Sequence, residues 1–388
     1  MNVNNTPIVI VAYNRPRSLK RLLSSIEKAH FIATNIDLII SIDKAPNNQE
    51  VLAIANDFEW KFGTKKVQYQ KENLGLRAHI LQCGALSETY GSVIVLEDDL
   101  YVAPNFYEYA TQALNFSLDK ECIGGISLYT HQLNVHTKAN FHALEDGYDN
   151  WYFQFASSWG QAWTKAQWNG FMKWYEKSPI LNNNKELPDY VKLWSEKSWL
   201  KYNISYLVEK NLFFLYPKVS LTTNFSDAGT HVGKDSTIYQ VPLDYSAPKT
   251  YKFSIISKSL AVYDVFFESK LIAKKLGVDE STICIDLFGY RKNANKKYLL
   301  SSKILDFHIV KSFGKSLKPI EANIFEEIVG YELFLYDTEI KERNIYRDDV
   351  KRRLRYNKIH IKHEDALYLV KSELKRKIVK AFSIIFKR

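Results

Sequence analysis

Short, unbroken apolar runs alternate along the first part of the chain with longer stretches whose apolar residues recur every three or four positions. Pro7 to Tyr13, PIVIVAY, has the length and character of a strand buried on both faces. Asn14-Arg15-Pro16 breaks it, and Ser18 to Ala29 carries a helical stripe at Leu19, Leu22, Leu23 and Ile26. Ile36 to Ile42 reads as a second strand, ending at Asp43, and Asn47 to Phe62 as a helix with Val51, Ile54, Ala55 and Phe58 on one face. Lys66 to Gln70 is a short third strand; Asn73-Leu74-Gly75 then turns into a helix through Leu86, and Val93 to Leu96 is a fourth buried strand. This alternation predicts an α/β fold with a right-handed, mostly parallel sheet flanked by helices.

Further on, Tyr107 to Leu118 reads as a helix, Ile123 to Tyr129 as a strand, Trp168 to Leu212 as mostly helical and Tyr216 to Asn224 as a strand. Pro242 to Pro248 has the composition of a linker. Beyond it the pattern predicts a helix over 254–276. Residues 283–337 follow, mixing strands (CIDLFGY, KYLLSS, HIVKSFG, ELFLYD) with a helix at 319–329. Three parts are therefore expected: residues 1–241, an α+β accessory region at 249–340, and a basic helical tail at 341–388.

The fourth apolar run ends in Glu97, Asp98 and Asp99. In open α/β sheets ligands bind outside the carboxyl ends of the strands. Three adjacent carboxylates there are hard to keep ionised unless a cation or a donor-rich ligand offsets their repulsion. Mg²⁺ or Mn²⁺ holding a diphosphate suits such hard oxygen ligands. A solvated acidic loop is the bland alternative, and the buried strand before the triplet argues against it. The other strand ends add Asn14, Arg15, Asp43, Asn73 and Arg77, which a parallel array sets along one edge. Taken singly each is more often a cap or a loop charge; jointly they have the look of a nucleotide crevice, with Arg15 in reach of a diphosphate and Asp43 of a base or ribose.

Composition narrows the choice. The 388 residues are 46% hydrophobic and 25% charged, as in an ordinary globular protein of two or more domains. Three cysteines are too few for a disulfide framework or zinc site. The N-terminal stretch lacks a basic segment and a signal-like apolar core, and no run approaches the ~20 apolar residues of a membrane span. A cytoplasmic location is expected. Lys341 to Arg388 holds 16 Lys or Arg against 6 Asp or Glu, a surplus equal to the whole chain's net charge of +10. A neutral body argues against nucleic-acid binding. Neither G-x-G-x-x-G after the first strand nor G-x-x-x-x-G-K-[ST] occurs, which disfavours Rossmann dehydrogenases and P-loop enzymes; NRPRS likewise lacks the Gly-rich loop that opens sugar-phosphate nucleotidyltransferases.

In the tail, Leu367, Val370, Leu374, Ile378, Phe382 and Ile385 fall on one helical face, flanked by Lys371, Lys375, Arg376, Lys377 and Lys380, with KRRLR upstream at 351–355. This is the pattern of a helix lying in an anionic membrane interface, at the inner face of the membrane. The alternative is a helix docked on the accessory region with its charges solvated.

The combination PIVIVAYNRP, ENLGL, VIVLEDDLYVAPNF and PKVSLTTNFSDAGTHVG resembles GT-A-fold glycosyltransferases. The likeness is nearest to the N-acetylglucosaminyltransferase I type and to bacterial sugar transferases sharing its EDD-L-x-V-A/S-P-x-F signature, and it covers about residues 5–235. The resemblance implies that Asp99 is the direct protein ligand of Mn²⁺ or Mg²⁺. It sets Glu97 and Asp98 toward the ribose and donor sugar, and Arg15 and Asp43 around the nucleotide. Arg77 lies in the helix bordering the base pocket. Within WYFQFASSWGQAW, Trp159 and Gly160 match the segment beneath donor sugar and acceptor, where a plain aromatic core is the alternative. His231, in the loop FSDAGTHVG, matches a metal or diphosphate contact that Asp227 and Thr230 assist. The family's catalytic base falls in an S-W-D-like context, but Ser198-Trp199 is followed here by Leu200, so Glu196 is the preferred base and Asp189 the fallback.

The activity implied is inverting transfer of a sugar from a nucleotide-sugar, by analogy a UDP-sugar, to a glycan or lipid-linked acceptor in bacterial surface-polysaccharide or lipooligosaccharide assembly. A catalytically inactive, membrane-peripheral sugar-binding or scaffolding protein is the alternative, which the altered base context allows.

Overall fold

The structure, a computed structural model, describes residues 5–177, 181, 186–225, 227, 238–291, 295–347 and 361–385. The first third is a run of βα steps: β1 (Ile8–Ala12), α1 (Pro16–Glu27), β2 (Leu38–Ile42), α2 (Gln49–Asp57), β3 (Lys65–Tyr69), α3 (Leu76–Gly84), α4 (Ser87–Tyr90) and β4 (Ser92–Glu97). The chain continues through β5 (Leu100–Val102), α5 (Phe106–Ser117), β6 (Ile123–Ser127), β7 (Asn150–Phe153), β8 (Gln161–Thr164), α6 (Lys165–Tyr175), α7 (Asp189–Lys192), α8 (Trp199–Glu209), β9 (Phe213–Pro217) and β10 (Thr222–Asn224).

Nine strands form one sheet in the order β11-β7-β9-β6-β8-β4-β1-β2-β3, its edge strand β11 being Val262–Tyr263. β4, β1, β2 and β3 run parallel, with Ile8 opposite both Ile94 and Leu38. Successive residues of β1 feed the two faces. Ile8, Ile10 and Ala12 pack with the buried stripes of α1, α2 and α5. Val9 and Val11 pack with α3, α6 and α8 and a wall of aromatics that includes Trp151, Trp163 and Trp168. The result is a three-layer α/β/α body, as the unbroken apolar runs predict.

β8 enters antiparallel between β4 and β6, pairing Gln161 with Val95. That register carries Trp159 and Gly160 to the same sheet edge as Glu97. The strand expected over 216–224 is two strands. β9 ends at Pro217, which has no N–H for a ladder, and after a turn β10 pairs with β5 in a separate two-stranded sheet, Asn224 opposite Leu100. The expected helix over 254–276 is confined to α9 (Ile272–Leu276). The preceding segment is extended because Ala261 and Tyr263 carbonyls accept from the N–H groups of Tyr152 and Gln154, at 2.9 and 3.1 Å, completing the ladder of β7.

A smaller four-stranded sheet follows, β12 (Ile283–Asp286), β13 (Tyr298–Ser301), β14 (His308–Phe313) and β15 (Leu333–Asp337), ordered β12-β13-β15-β14, with short α10 (Ala322–Phe325). Ile272, Ile285, Leu300, Ile324 and Leu335 give it a core of its own. Tyr263 donates to the buried Glu321 carboxylate and so ties this core to the edge of the large sheet. The terminal helix α11 (His363–Ile385) is long, and Leu367, Val370, Leu374 and Ile378 are all about half exposed, between 49 and 58%. No helix among the described residues is long and apolar enough to cross a membrane.

Candidate active site at the carboxyl edge of the sheet

Arg15 is the N-cap residue of α1, immediately after β1, and its guanidinium turns across the strand ends onto the acidic triplet. One arm pairs with Asp98 and the other reaches Asp99 Oδ2 at 2.9 Å. The Asp98 N–H donates to the Val11 carbonyl at 3.1 Å, so β4 carries its ladder into the triplet. Asp98 is almost fully buried and also accepts from the Tyr13 N–H at 3.4 Å.

The three carboxylates and the guanidinium do not balance. Burial disfavours charge on Arg15, yet attraction to Asp98 and Asp99 outweighs it and raises its pKa further. Burial pushes Asp98 up to about 6, with Arg15 opposing and Asp99 reinforcing the shift. Burial, then repulsion from Asp99, raises Glu97 well above the ordinary range. Glu97 Oε1 and Asp99 Oδ1 are both buried with no hydrogen-bond partner. Orphaned acceptors beside excess negative charge are what a hard divalent cation satisfies. Among the described residues no group of three or more His, Cys, Asp or Glu forms a cage. The donor set therefore fits Mn²⁺ or Mg²⁺ held by one or two carboxylates, the remaining positions going to phosphate oxygens and water.

Asp43, at the end of β2, is brought to the same edge but faces its own loops. It accepts from the N–H groups of Lys44, Leu74 and Gly75 at 2.9, 2.8 and 2.9 Å, closing the Asn73–Gly75 turn against the β2 end. Gly75 enters α3 with φ 75°, a conformation that favours glycine. Arg77 donates to the Glu196 carbonyl and lies 5.5 Å from the Tyr202 ring, bracing α3 against α8.

Glu196 itself is exposed. Its Oε1 accepts from Lys201 and its Oε2 from Tyr202, both at 2.5 Å, and these bonds hold its pKa below the usual range, Lys201 contributing most. Proton abstraction there requires both partners to let go. Asp189 is half exposed, 3.7 Å from Lys192, and lines a cavity of about 710 Å³ with Asp264 and Arg291. That cavity includes none of Arg15, Glu97, Asp98 or Asp99. It is an interface cleft rather than an extension of the carboxylate site.

Trp159 packs edge-on to Tyr129 at 4.6 Å and against Tyr239 at 5.0 Å. Gly160 has φ 92°, and a Cβ there would come within 2.9 Å of Thr222 Cγ2. The close approach that this glycine permits is to β10. From β10 the chain passes Asp99, whose carbonyl accepts from the Phe225 N–H at 3.1 Å, and Asp227 then clips onto Ser18 and Arg21 of α1. His231 and Thr230 lie outside the described residues.

No family model matches this chain, and no curated protein does. Solved structures with a related course of chain are glycosyltransferases. Staphylococcus aureus TarS 1–349 in complex with UDP-GlcNAc aligns at 14% identity over 60% of this chain and 62% of that one, TM-score 0.38. GalNAc-T7 with UDP, GalNAc and Mn²⁺ aligns at 13% over 55% and 42%, TM-score 0.35. The Pyrobaculum calidifontis mannosyltransferase PcManGT with GDP-Man and Mn²⁺ aligns at 11% over 44% and 46%, TM-score 0.30. Each likeness spans less than two thirds of the other chain.

One residue that sequence reasoning passes over ties the edge together, and a second is buried behind it. Asn48, fully buried, donates to the Tyr13 and Asp43 carbonyls at 2.9 and 2.8 Å and accepts from Tyr69 at 2.9 Å, binding the ends of β1, β2 and β3 together. His131, buried among aromatics, has an Nε2 without a partner. Asn48 sits in a turn sequence that gives no hint of burial, and His131 has only its aromatic setting to mark it.

Proposed function

We propose that this chain is a metal-dependent glycosyltransferase of GT-A type, transferring a sugar from a nucleotide-sugar, a UDP-sugar by motif resemblance, to a glycan or lipid-linked acceptor with inversion. The observation that carries the reading is the Glu97-Asp98-Asp99 triplet, Asp98 buried between two partly buried neighbours, with two orphaned oxygens and one guanidinium at the carboxyl edge of a parallel sheet. The nearer likeness to the N-acetylglucosaminyltransferase I type, and the setting in bacterial surface-polysaccharide or lipooligosaccharide assembly, rest on the sequence motifs alone.

On this reading Asp99, through its unpartnered Oδ1, holds Mn²⁺ or Mg²⁺, with His231 a second candidate ligand. When bound, the cation neutralises charge on the departing nucleoside diphosphate. Arg15 has a guanidinium already at the carboxylates and orients the diphosphate. Asp43 fixes the Asn73–Gly75 turn that walls the base, and Arg77 holds α3 beside it. Glu97 and Asp98 face the ribose and donor sugar. Glu196 removes the acceptor proton once Lys201 and Tyr202 release it, with Asp189 the fallback.

The engagement of Glu196 by Lys201 and Tyr202 is the one observation favouring the second reading, an inactive sugar-binding or scaffolding protein. A panel of nucleotide-sugars with Mn²⁺ separates the two: slow metal-dependent donor hydrolysis supports the enzyme, and binding without any turnover supports the scaffold.

Attachment to an anionic membrane surface at the cytoplasmic face is proposed for α11. Its apolar stripe is uncovered by the body over the described side chains, with Lys371, Lys375, Arg376 and Lys377 beside it. A lipid-linked acceptor makes that attachment useful.

A further inference from the structure

A second cavity, about 150 Å³, is walled by Phe155, Trp159, Tyr190, Trp194, Leu200 and Tyr239. Gln161 sits opposite Val95, so the wall at Ser157 to Trp159 runs out beside the end of β4. Rings and aliphatic carbon make up most of the surface. Two polar groups of the wall are spent within it: Ser157 Oγ accepts from the Trp159 N–H at 3.2 Å, and the Tyr239 hydroxyl accepts from Lys138. Hydroxyl-bearing ligands buried against such walls lose hydrogen bonds that a hydrocarbon chain never makes. Next to wall residues, Leu193 is 85% and Ile238 50% exposed, so apolar surface continues outward from the pocket.

Lys138 sets a charge at this pocket. Its Nζ donates to the Val135 carbonyl at 2.9 Å and to the Tyr239 hydroxyl, and stands 5.0 and 5.6 Å from the centres of the Tyr239 and Tyr190 rings. All three of these residues line the pocket. Lys138 is exposed and has no carboxylate partner among the described residues. Its backbone is held at φ 60°, a left-handed conformation uncommon for a residue with a Cβ. Asn134 enforces that turn. Its carbonyl accepts from the Lys138 N–H at 2.8 Å, its N–H donates to the Ala139 carbonyl at 2.9 Å, and its Oδ1 accepts from the His136 and Thr137 N–H groups at 2.9 and 3.3 Å. A strained turn that fixes an ammonium beside an apolar pocket suits a ligand with an anionic head and an apolar chain.

We infer that this pocket takes the hydrocarbon chain of an anionic amphiphile, its head group meeting Lys138. In the proposed transferase, on which this step alone rests, that amphiphile is the lipid of a lipid-linked acceptor. Binding of the chain does not depend on that activity.

Full-length protein is titrated with ethyl, butyl, hexyl, octyl and decyl phosphate below their micelle concentrations, followed by tryptophan fluorescence. Each added CH₂ should tighten binding about fourfold until the pocket is full, and the gain should then stop. Octyl phosphate should bind on the order of tenfold more tightly than octanol. Lys138→Asn, a substitution the left-handed turn accepts, should remove that head-group preference and keep the chain-length gain. Leu200→Trp fills the pocket and should remove the chain-length gain; circular dichroism confirms that both variants are folded. Affinity independent of chain length, a gain unchanged in Leu200→Trp, or inorganic phosphate binding as tightly as octyl phosphate overturns the inference. Displacement of UDP by octyl phosphate in the presence of Mn²⁺ also overturns it, because the chain then occupies the nucleotide site. Chain binding without any nucleotide-sugar binding keeps the pocket and removes the proposed transferase; nucleotide-sugar binding without chain binding does the reverse.

Discussion

Asp43→Asn distinguishes a residue that touches the donor from one that shapes the site. In the structure both Asp43 oxygens are spent on backbone, Oδ1 on Lys44 and Leu74 and Oδ2 on Gly75, and the side chain is only 3% exposed. An asparagine carbonyl can keep the first pair, but its NH₂ then faces the Gly75 N–H, donor against donor. The loss of one charge-assisted bond is about 1.5–3 kcal/mol, and the two retained bonds weaken because the acceptor is no longer charged. Together the substitution should cost about 2–4 kcal/mol, seen as a lower urea midpoint at unchanged slope. Because the Asn73–Gly75 turn loosens, UDP binding should weaken as well. A variant with wild-type urea midpoint but reduced UDP affinity would refute the anchoring role and make Asp43 a direct donor contact.

Four further outcomes are expected. Glu196→Gln should lose transfer by on the order of 10²–10⁴-fold while keeping donor affinity; normal transfer in this variant beside a dead Asp189→Asn would move the base to Asp189. His131 and His136 are held neutral by burial, with pKa values pushed down to about 3 and about 4, so the unfolded chain takes up their protons first. Their contribution to stability is complete above about pH 6.5 and is lost as pH falls from there toward the folded values, about 2 kcal/mol per histidine by pH 5; His131→Phe should flatten the fall in urea midpoint between pH 7 and 5, and an unchanged slope would contradict the buried neutral state. Gly160→Ala should destabilise by about 2–4 kcal/mol, from left-handed strain plus the Thr222 contact, with Thr222→Ser relieving part of it in a double-mutant cycle. Full-length protein should sediment with anionic vesicles at low salt and a chain ending at Lys362 should not; equal partitioning would leave α11 without a membrane role.

The parallel half of the sheet was legible because its strands are buried on both faces, which leaves unbroken runs such as IVIVA and VIVL and a clean stripe at Leu19, Leu22, Leu23 and Ile26 in α1. The acidic triplet was legible for the same reason, since the run before it fixes it at a strand's carboxyl end. What the pattern hides is where side chains spend their hydrogen bonds. Asp43 closes a turn some thirty residues away, and that pairing exists only once β2 and α3 are folded. Glu196 precedes Lys201 by five residues, with Ser198 capping α8 between them, so a local clue to its engagement was present in the sequence. Residues 254–276 carry apolar positions compatible with both periods. The free edge of β7 decides for strand, and no local pattern encodes that edge.

Asp99 and its neighbours are proposed to form a cation-assisted nucleotide site. Calorimetric titration of UDP into the wild-type protein and into Asp99→Asn, with and without Mn²⁺, tests it most directly, with circular dichroism confirming that the variant is folded. Mn²⁺-dependent binding is expected in the wild type, with loss of the Mn²⁺-dependent part in Asp99→Asn. Equal UDP affinity in the two proteins at saturating Mn²⁺ would contradict it.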